Sequence, residues 1–211
     1  MKIKRINNYT DERFDQEILR QHGAFLVDDH LKCSFRIIGD HAAIITYDNG
    51  IDLDALIDEF RFYTEHITKF HLRDMTLIKD FDKIKTFKLN IKDIQPSQFV
   101  VDEDKVNAIA TFIGHENDLY IPVAKFGDTY VSCDGHTRLY YACKNNMTSV
   151  NAFISDPGDY LDDFAEEARK KGVYSPHNLK IISHADYEVE WHDFCDEFFE
   201  KRTHGNENST D

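Results

Sequence analysis

What most constrains this chain is the alternation of short runs of β-branched and aromatic residues with segments whose apolar residues recur at helical spacing. The runs fall at 24–27, 34–38, 42–47, 85–91, 120–126, 129–133 and 149–154, each short enough to predict a strand. Helices are predicted between them. One near 11–22 opens behind Thr10-Asp11-Glu12, carries Phe14, Ile18 and Leu19 inward, and closes at His22-Gly23. Asp52 caps a second with Leu53, Leu56, Ile57 and Phe60 on one face, and Asp102 caps a third through Val106, Ile109, Ala110 and Ile113. Further helices are predicted from His136 to Asn145, around Tyr160, Leu161, Phe164 and Ala168, and over 184–201. In the last, Tyr187, Trp191, Phe194, Cys195, Phe198 and Phe199 form a stripe that reads as packing surface. Such a mixture predicts an α+β fold.

Residues 1–85 are predicted to form a small α+β module, an antiparallel sheet covered by two helices, whose role the sequence leaves unassigned. Residues 86–155 form a second α/β unit, 156–202 a helical C-terminal extension, and 203–211 a polar tail expected to be disordered. His66, His71 and Asp74 fit no metal-ligand spacing and read as loop or strand positions. The cysteines, Cys33, Cys133, Cys143 and Cys195, lack C-x-x-C pairing, so reduced thiols are expected. Cys133 reads as a small buried strand residue.

Charge narrows the partners. With a net charge of −14, duplex DNA is disfavoured, because that affinity rests on clustered Lys and Arg. A small anion remains admissible, since one local pocket can outweigh the global field. No run approaches the roughly 20 apolar residues of a membrane span, and Met1-Lys2-Ile3-Lys4-Arg5 is not followed by an apolar signal segment, so a cytoplasmic location without membrane contact is expected. The nine glycines are never closer than eight residues apart, which excludes a Walker-type loop and a dinucleotide-binding fingerprint.

The chemistry-bearing segment is a strand, then Asp134-Gly135-His136-Thr137-Arg138, then a helix. Gly135 permits a tight turn, and the helix start offers N–H donors at a positive dipole end. Arg138 adds a planar fork suited to phosphate, Thr137 a hydroxyl, and His136 a donor. Asp134 suits proton transfer or a magnesium ion. Weighed alone, these residues serve equally as an anion cradle or as a capped helix with a surface ion pair.

The order Ile91-Lys92-Asp93-Ile94-Gln95-Pro96-Ser97-Gln98, a helix, Ile121-Pro122-Val123, then Asp134-Gly135-His136-Thr137-Arg138 resembles the ParB/sulfiredoxin fold over about 65 residues. That resemblance implies Pro96, Ser97 and Gln98 facing Gly135, His136, Thr137 and Arg138 across a nucleotide phosphate. Sulfiredoxins place their catalytic cysteine where this chain has His136, so sulfinic-acid repair is disfavoured. The Asp-Gly-His-His-Arg turn of free-serine kinases is more similar, with Thr137 here replacing the second His. It implies a nucleotide-dependent phosphotransferase acting on a small hydroxyl-bearing metabolite with Mg2+ and ATP or ADP, and Asp134 beside the reacting hydroxyl. Those kinases carry a catalytic Glu where this chain has Gln98, and an amide cannot remove a proton. Glu103 and Asp102 are nearby carboxylates, but they also suit capping of the helix they open. The alternative is a non-enzymatic nucleotide-binding regulatory module whose C-terminal helices engage a protein partner or a second copy. A third reading is an acetyltransferase-like module in residues 1–85, also by resemblance.

Overall fold

A computed structural model describes the backbone of residues 1–207 and the side chains of residues 1–202; residues 208–211 lie outside the described residues. The first sheet runs β1 (Ile3–Arg5), β2 (Ala24–Val27), β3 (Leu31–Ile38), β4 (Ala42–Tyr47), β5 (Lys69–His71) and β6 (Leu77–Asp80) in that spatial order. It is mixed rather than antiparallel. The pair β4–β5 is parallel because α2 (Leu53–Tyr63) crosses over between them. Asp52 caps α2 by accepting from the N–H groups of Asp54 and Ala55. Leu56, Ile57 and Phe60 then face the sheet, where Phe35 and Phe60 stack at 4.2 Å and Phe25 and Phe70 close the nest edge-on. Each fully buried phenyl contributes about 2–3 kcal/mol.

The predicted helix at 11–22 shrinks to α1 (Gln16–Arg20). Asp11 accounts for the difference, since its carboxylate takes the Arg13 N–H and guanidinium in a local turn instead of starting a helix. α1 lies on the opposite side of the sheet from α2. Ile18 and Leu19 pack with Ile6, Ala24 and Leu26, so β2 is buried on both faces. This forces Gly23. It lies against β3, where a Cβ would stand 1.9 Å from the Phe35 carbonyl oxygen.

The second sheet draws on β7 (Phe87–Asn90), β8 (Ile94–Pro96), β10 (Tyr120–Phe126), β11 (Thr129–Ser132) and β12 (Ser149–Ile154), ordered β7-β12-β10-β11-β8. Between β8 and β10 lie β9 (Val100–Asp102) and α3 (Glu103–Ile109), and α4 (His136–Lys144) joins β11 to β12. The strand expected at 85–91 is shorter, because Ile91–Asp93 turn as a 3-10 helix. Pro96 is tolerated because β8 is an edge strand, pairing in parallel with β11 so that Pro96 lies opposite Ser132. That register sets the loop after β8 beside the start of α4.

The C-terminal residues pack back on this unit. α5 (Leu161–Lys170) is followed by β13 (Lys180–Ile182), which pairs in parallel with β9. The helix expected over 184–201 has three parts: α6 (His184–Tyr187), a π-helical turn at Glu188–His192, and α7 (Asp193–Glu207). The tail expected to be disordered from 203 therefore continues as helix through 207. Phe164 meets Trp191, Phe194 and Phe198 edge-on, and Phe99 meets Trp191 and Phe194, so much of the aromatic stripe packs within the chain. Among the described residues no helix is long and apolar enough to cross a membrane.

Candidate functional site

A cleft of about 470 Å³ lies between the first sheet and the second unit, a size common for small-molecule sites. Its floor is the turn from β11 into α4. Gly135 takes φ +83° and ψ 18° as the residue before α4, and no side chain caps that helix start. A Cβ at Gly135 would lie 2.8 Å from Ile121 Cδ1 and 3.2 Å from two guanidinium nitrogens of Arg138. The glycine thus supplies both the left-handed turn and the room for the arginine.

Arg138 comes from the first turn of α4. It donates from Nη1 to the Tyr120 carbonyl at 2.6 Å and from Nη2 to Asp134 Oδ2 at 3.3 Å. Its side chain is 20% exposed and that of Asp134 58%, so the carboxylate meets solvent while the guanidinium is held from below. Burial works to raise the Asp134 pKa, but Arg138, His136, the Gly135 N–H and Arg5 outweigh it and leave the group below its ordinary value. Asp134 is therefore ionised at neutral pH.

His136 is engaged differently from the expected phosphate donor. Its Nε2 accepts from the Ser97 backbone N–H at 3.2 Å, with the Ser97 and Ser132 hydroxyls each 3.1 Å away. Ser97 Oγ donates to the Ser132 carbonyl. The ring is buried and neutral, burial pushing its pKa down to about 4. It fastens the loop after β8 to the helix start, and Ser97 and Pro96 are buried and do not line the cleft.

Thr137 and Gln98 line the cleft. The Gln98 amide donates to the Val100 carbonyl and the Tyr187 hydroxyl, so it is anchored by β9 and α6. Glu103 is exposed on α3 and does not line the cleft. Asp102 is fully engaged, accepting from the Asp104 N–H and from His184 Nδ1, each at 2.8 Å. Asp102, Asp104 and His184 bring ligand-type atoms within 4.8 Å of one another, away from the cleft lining.

Further lining comes from residues that spacing alone did not single out for the site: Arg5, His22 and Tyr63 of the first module, with Lys105 and Tyr187. His66 belongs here too, lying flat on Tyr120 at 4.7 Å, while His71 contacts the Met75 carbonyl in its own loop. Burial lowers the pKa of His22 and of His66 to about 3, with nearby Arg5 adding to the first and Arg138 to the second. His22 Nε2 contacts Tyr9 Oη at 2.9 Å, and Nδ1 is buried without a partner. The start of α2 offers no equivalent anion site in the first module, because Asp52 already takes its N–H groups.

No protein-family model and no curated protein matches this chain. Among solved structures it is similar over 47% of its length to protein Atu1540 from Agrobacterium tumefaciens, at 15% identity, 63% coverage of that chain and a TM-score of 0.32. It is similar over 37% of its length to a conserved hypothetical protein from Pyrococcus furiosus, at 20% identity, 35% coverage of that chain and a TM-score of 0.28. At TM-scores this low neither likeness bears on fold or activity.

Proposed function

We propose that this chain is a nucleotide-dependent phosphotransferase of the ParB/sulfiredoxin type, acting on a small hydroxyl-bearing metabolite. One observation carries the reading: an ionised carboxylate, Asp134, opens to a cleft 3.3 Å from a phosphate-type arginine, at a helix start that no side chain caps. The first-turn N–H groups of α4 and Arg138 hold the transferring phosphate. The acceptor hydroxyl oxygen bonds to phosphorus, the bond to the nucleotide's leaving oxygen breaks, and the hydroxyl proton passes to Asp134. Phosphoryl transfer depends more on positioning and charge stabilisation than on a strong base, so Gln98 in place of a glutamate does not remove the chemistry.

Magnesium takes oxygen ligands, commonly one or two carboxylates with phosphate oxygens and water; in this reading Asp134 would hold it, and Asp40 is a further carboxylate of the cleft lining. Asp118 is engaged, its carboxylate accepting from the N–H groups of Gly114 and His115. When bound, the ion would neutralise phosphate charge. The exposed aromatic ring of Phe112 in the cleft lining offers stacking surface to a nucleotide base.

A second reading is a regulatory module that binds nucleotide without turnover. It is favoured by the Gln98 amide being spent on Val100 and Tyr187. Incubation with ATP or ADP, magnesium and serine separates the two when phosphorylated acceptor and nucleotide affinity are both measured. Phosphotransfer predicts product, with Asp134→Asn slowing turnover at least about 100-fold while changing nucleotide affinity only about threefold. Tight binding without product supports the regulatory reading, and absence of nucleotide binding contradicts both.

A further inference from the structure

Two cations in the cleft make no direct ion pair among the described residues. Arg5 Cζ sits 3.5 Å above the Tyr63 ring, and its one side-chain hydrogen bond is to the neutral Asn7 amide. Lys105 Nζ sits 4.4 Å above the Tyr187 ring. Among the described residues neither lies within ion-pair distance of a carboxylate, although both line the cleft. Surface cations routinely do without partners, but these two are partly desolvated. Burial lowers the pKa of each, and Arg5 adds to the lowering of Lys105, while Asp134 offsets part of it for both, joined by Glu59 at Arg5 and by Asp102 and Glu188 at Lys105. Carboxylates at that longer range compensate two partly desolvated cations less than an acidic group in direct contact with them would.

They also come from elements other than the α4 turn. Arg138 lies at the α4 turn, where it also donates to Tyr120 and Asp134, whereas Arg5 belongs to β1 and Lys105 to α3. We propose that Arg5 and Lys105 form a second anion subsite, so that the ligand carries two acidic groups and spans both modules, one at the α4 turn and one at this pair. The shared chemistry is an acidic group distinct from the cradled phosphate, either a carboxylate or a further phosphate. The first module then has a role, as one wall of the binding site. The inference rests on the phosphate reading of the α4 turn.

Calorimetry on the full chain tests it with three probes: ethyl phosphate, with one acidic group; 2-phosphoglycolate, adding a carboxylate; and pyrophosphate, adding a phosphate. At least one two-acid probe should bind about tenfold more tightly than ethyl phosphate, and which one does so identifies the second group. Arg5→Gln and Lys105→Gln should each remove most of that advantage while leaving ethyl phosphate within about twofold, and Arg5→Lys should restore part of it. Arg138→Ala should weaken all three probes. Equal affinity for all three probes, or an advantage that survives both glutamine variants, overturns the second subsite while leaving the phosphate cradle standing. Unchanged ethyl phosphate binding in Arg138→Ala overturns the cradle itself. No binding of any probe overturns both.

Discussion

Gly23→Ala is expected to unfold the first module, with a loss of at least about 3 kcal/mol. The added Cβ would lie 1.9 Å from the Phe35 carbonyl oxygen, a backbone atom that no rotamer change can move. Phe35 donates to the Gly23 carbonyl at 2.7 Å, and Gly23 donates to Ile18 at 2.9 Å, so the residue is fixed from both sides. Relief requires parting β2 from β3, and with them the phenyl nest around Phe35 and Phe60. Gly39→Ala is the control. Gly39 has φ +62° with nothing within 4 Å of an added Cβ, so it should cost only the left-handed strain of about 1–2 kcal/mol. Urea midpoints of the two variants check this, and equal midpoints would contradict the close approach.

Acidification is expected to destabilise the chain steeply from about pH 6.5, well above the usual carboxylate range. His22, His66 and His136 are held neutral in the fold, with pKa values near 3, 3 and 4, against roughly 6.5 when unfolded. Because the unfolded chain binds the extra protons, stability is full above pH 6.5 and falls as pH drops toward the folded values, by up to roughly 1.4 kcal/mol per histidine per pH unit. Glu116, lowered to about 2 by hydrogen bonds from Thr148 and Ser149, adds a loss of the same sign at lower pH. His184 acts oppositely: Asp102 raises its pKa, so its contribution is present below pH 6.5 and is lost as pH rises through its folded value. Its exposed ring screens that effect. Denaturant titrations from pH 7 to 5 should show stability falling with a slope that His66→Gln reduces by about one proton. A flat profile over that interval would contradict histidines that the fold holds neutral.

Legibility followed the range of the physics. Strands at 24–27, 42–47 and 149–154, and the caps at Asp52 and Asp102, could be read because alternation and capping are local. The helix at 11–22 failed where Asp11 chose Arg13 over the following backbone. The parallel pairings β4–β5, β8–β11 and β9–β13 join segments far apart in sequence, so no local pattern announces them. In the site, the glycine turn and Arg138 were visible because one strand–turn–helix contains them. Arg5, His22, His66, Lys105 and Tyr187 come from other elements and meet only when the first sheet and the C-terminal helices pack against that turn. Ser97, His136 and Gln98 were visible as residues, but the bonds that turn them into fasteners come from tertiary register.

The most direct test of the anion cradle follows backbone amide shifts and the Arg138 side-chain N–H while pyrophosphate is titrated into the full chain. The largest saturable shifts are expected at Gly135, His136 and Thr137 and at the Arg138 guanidinium. Saturable shifts centred elsewhere, or no shift at this turn, would contradict it.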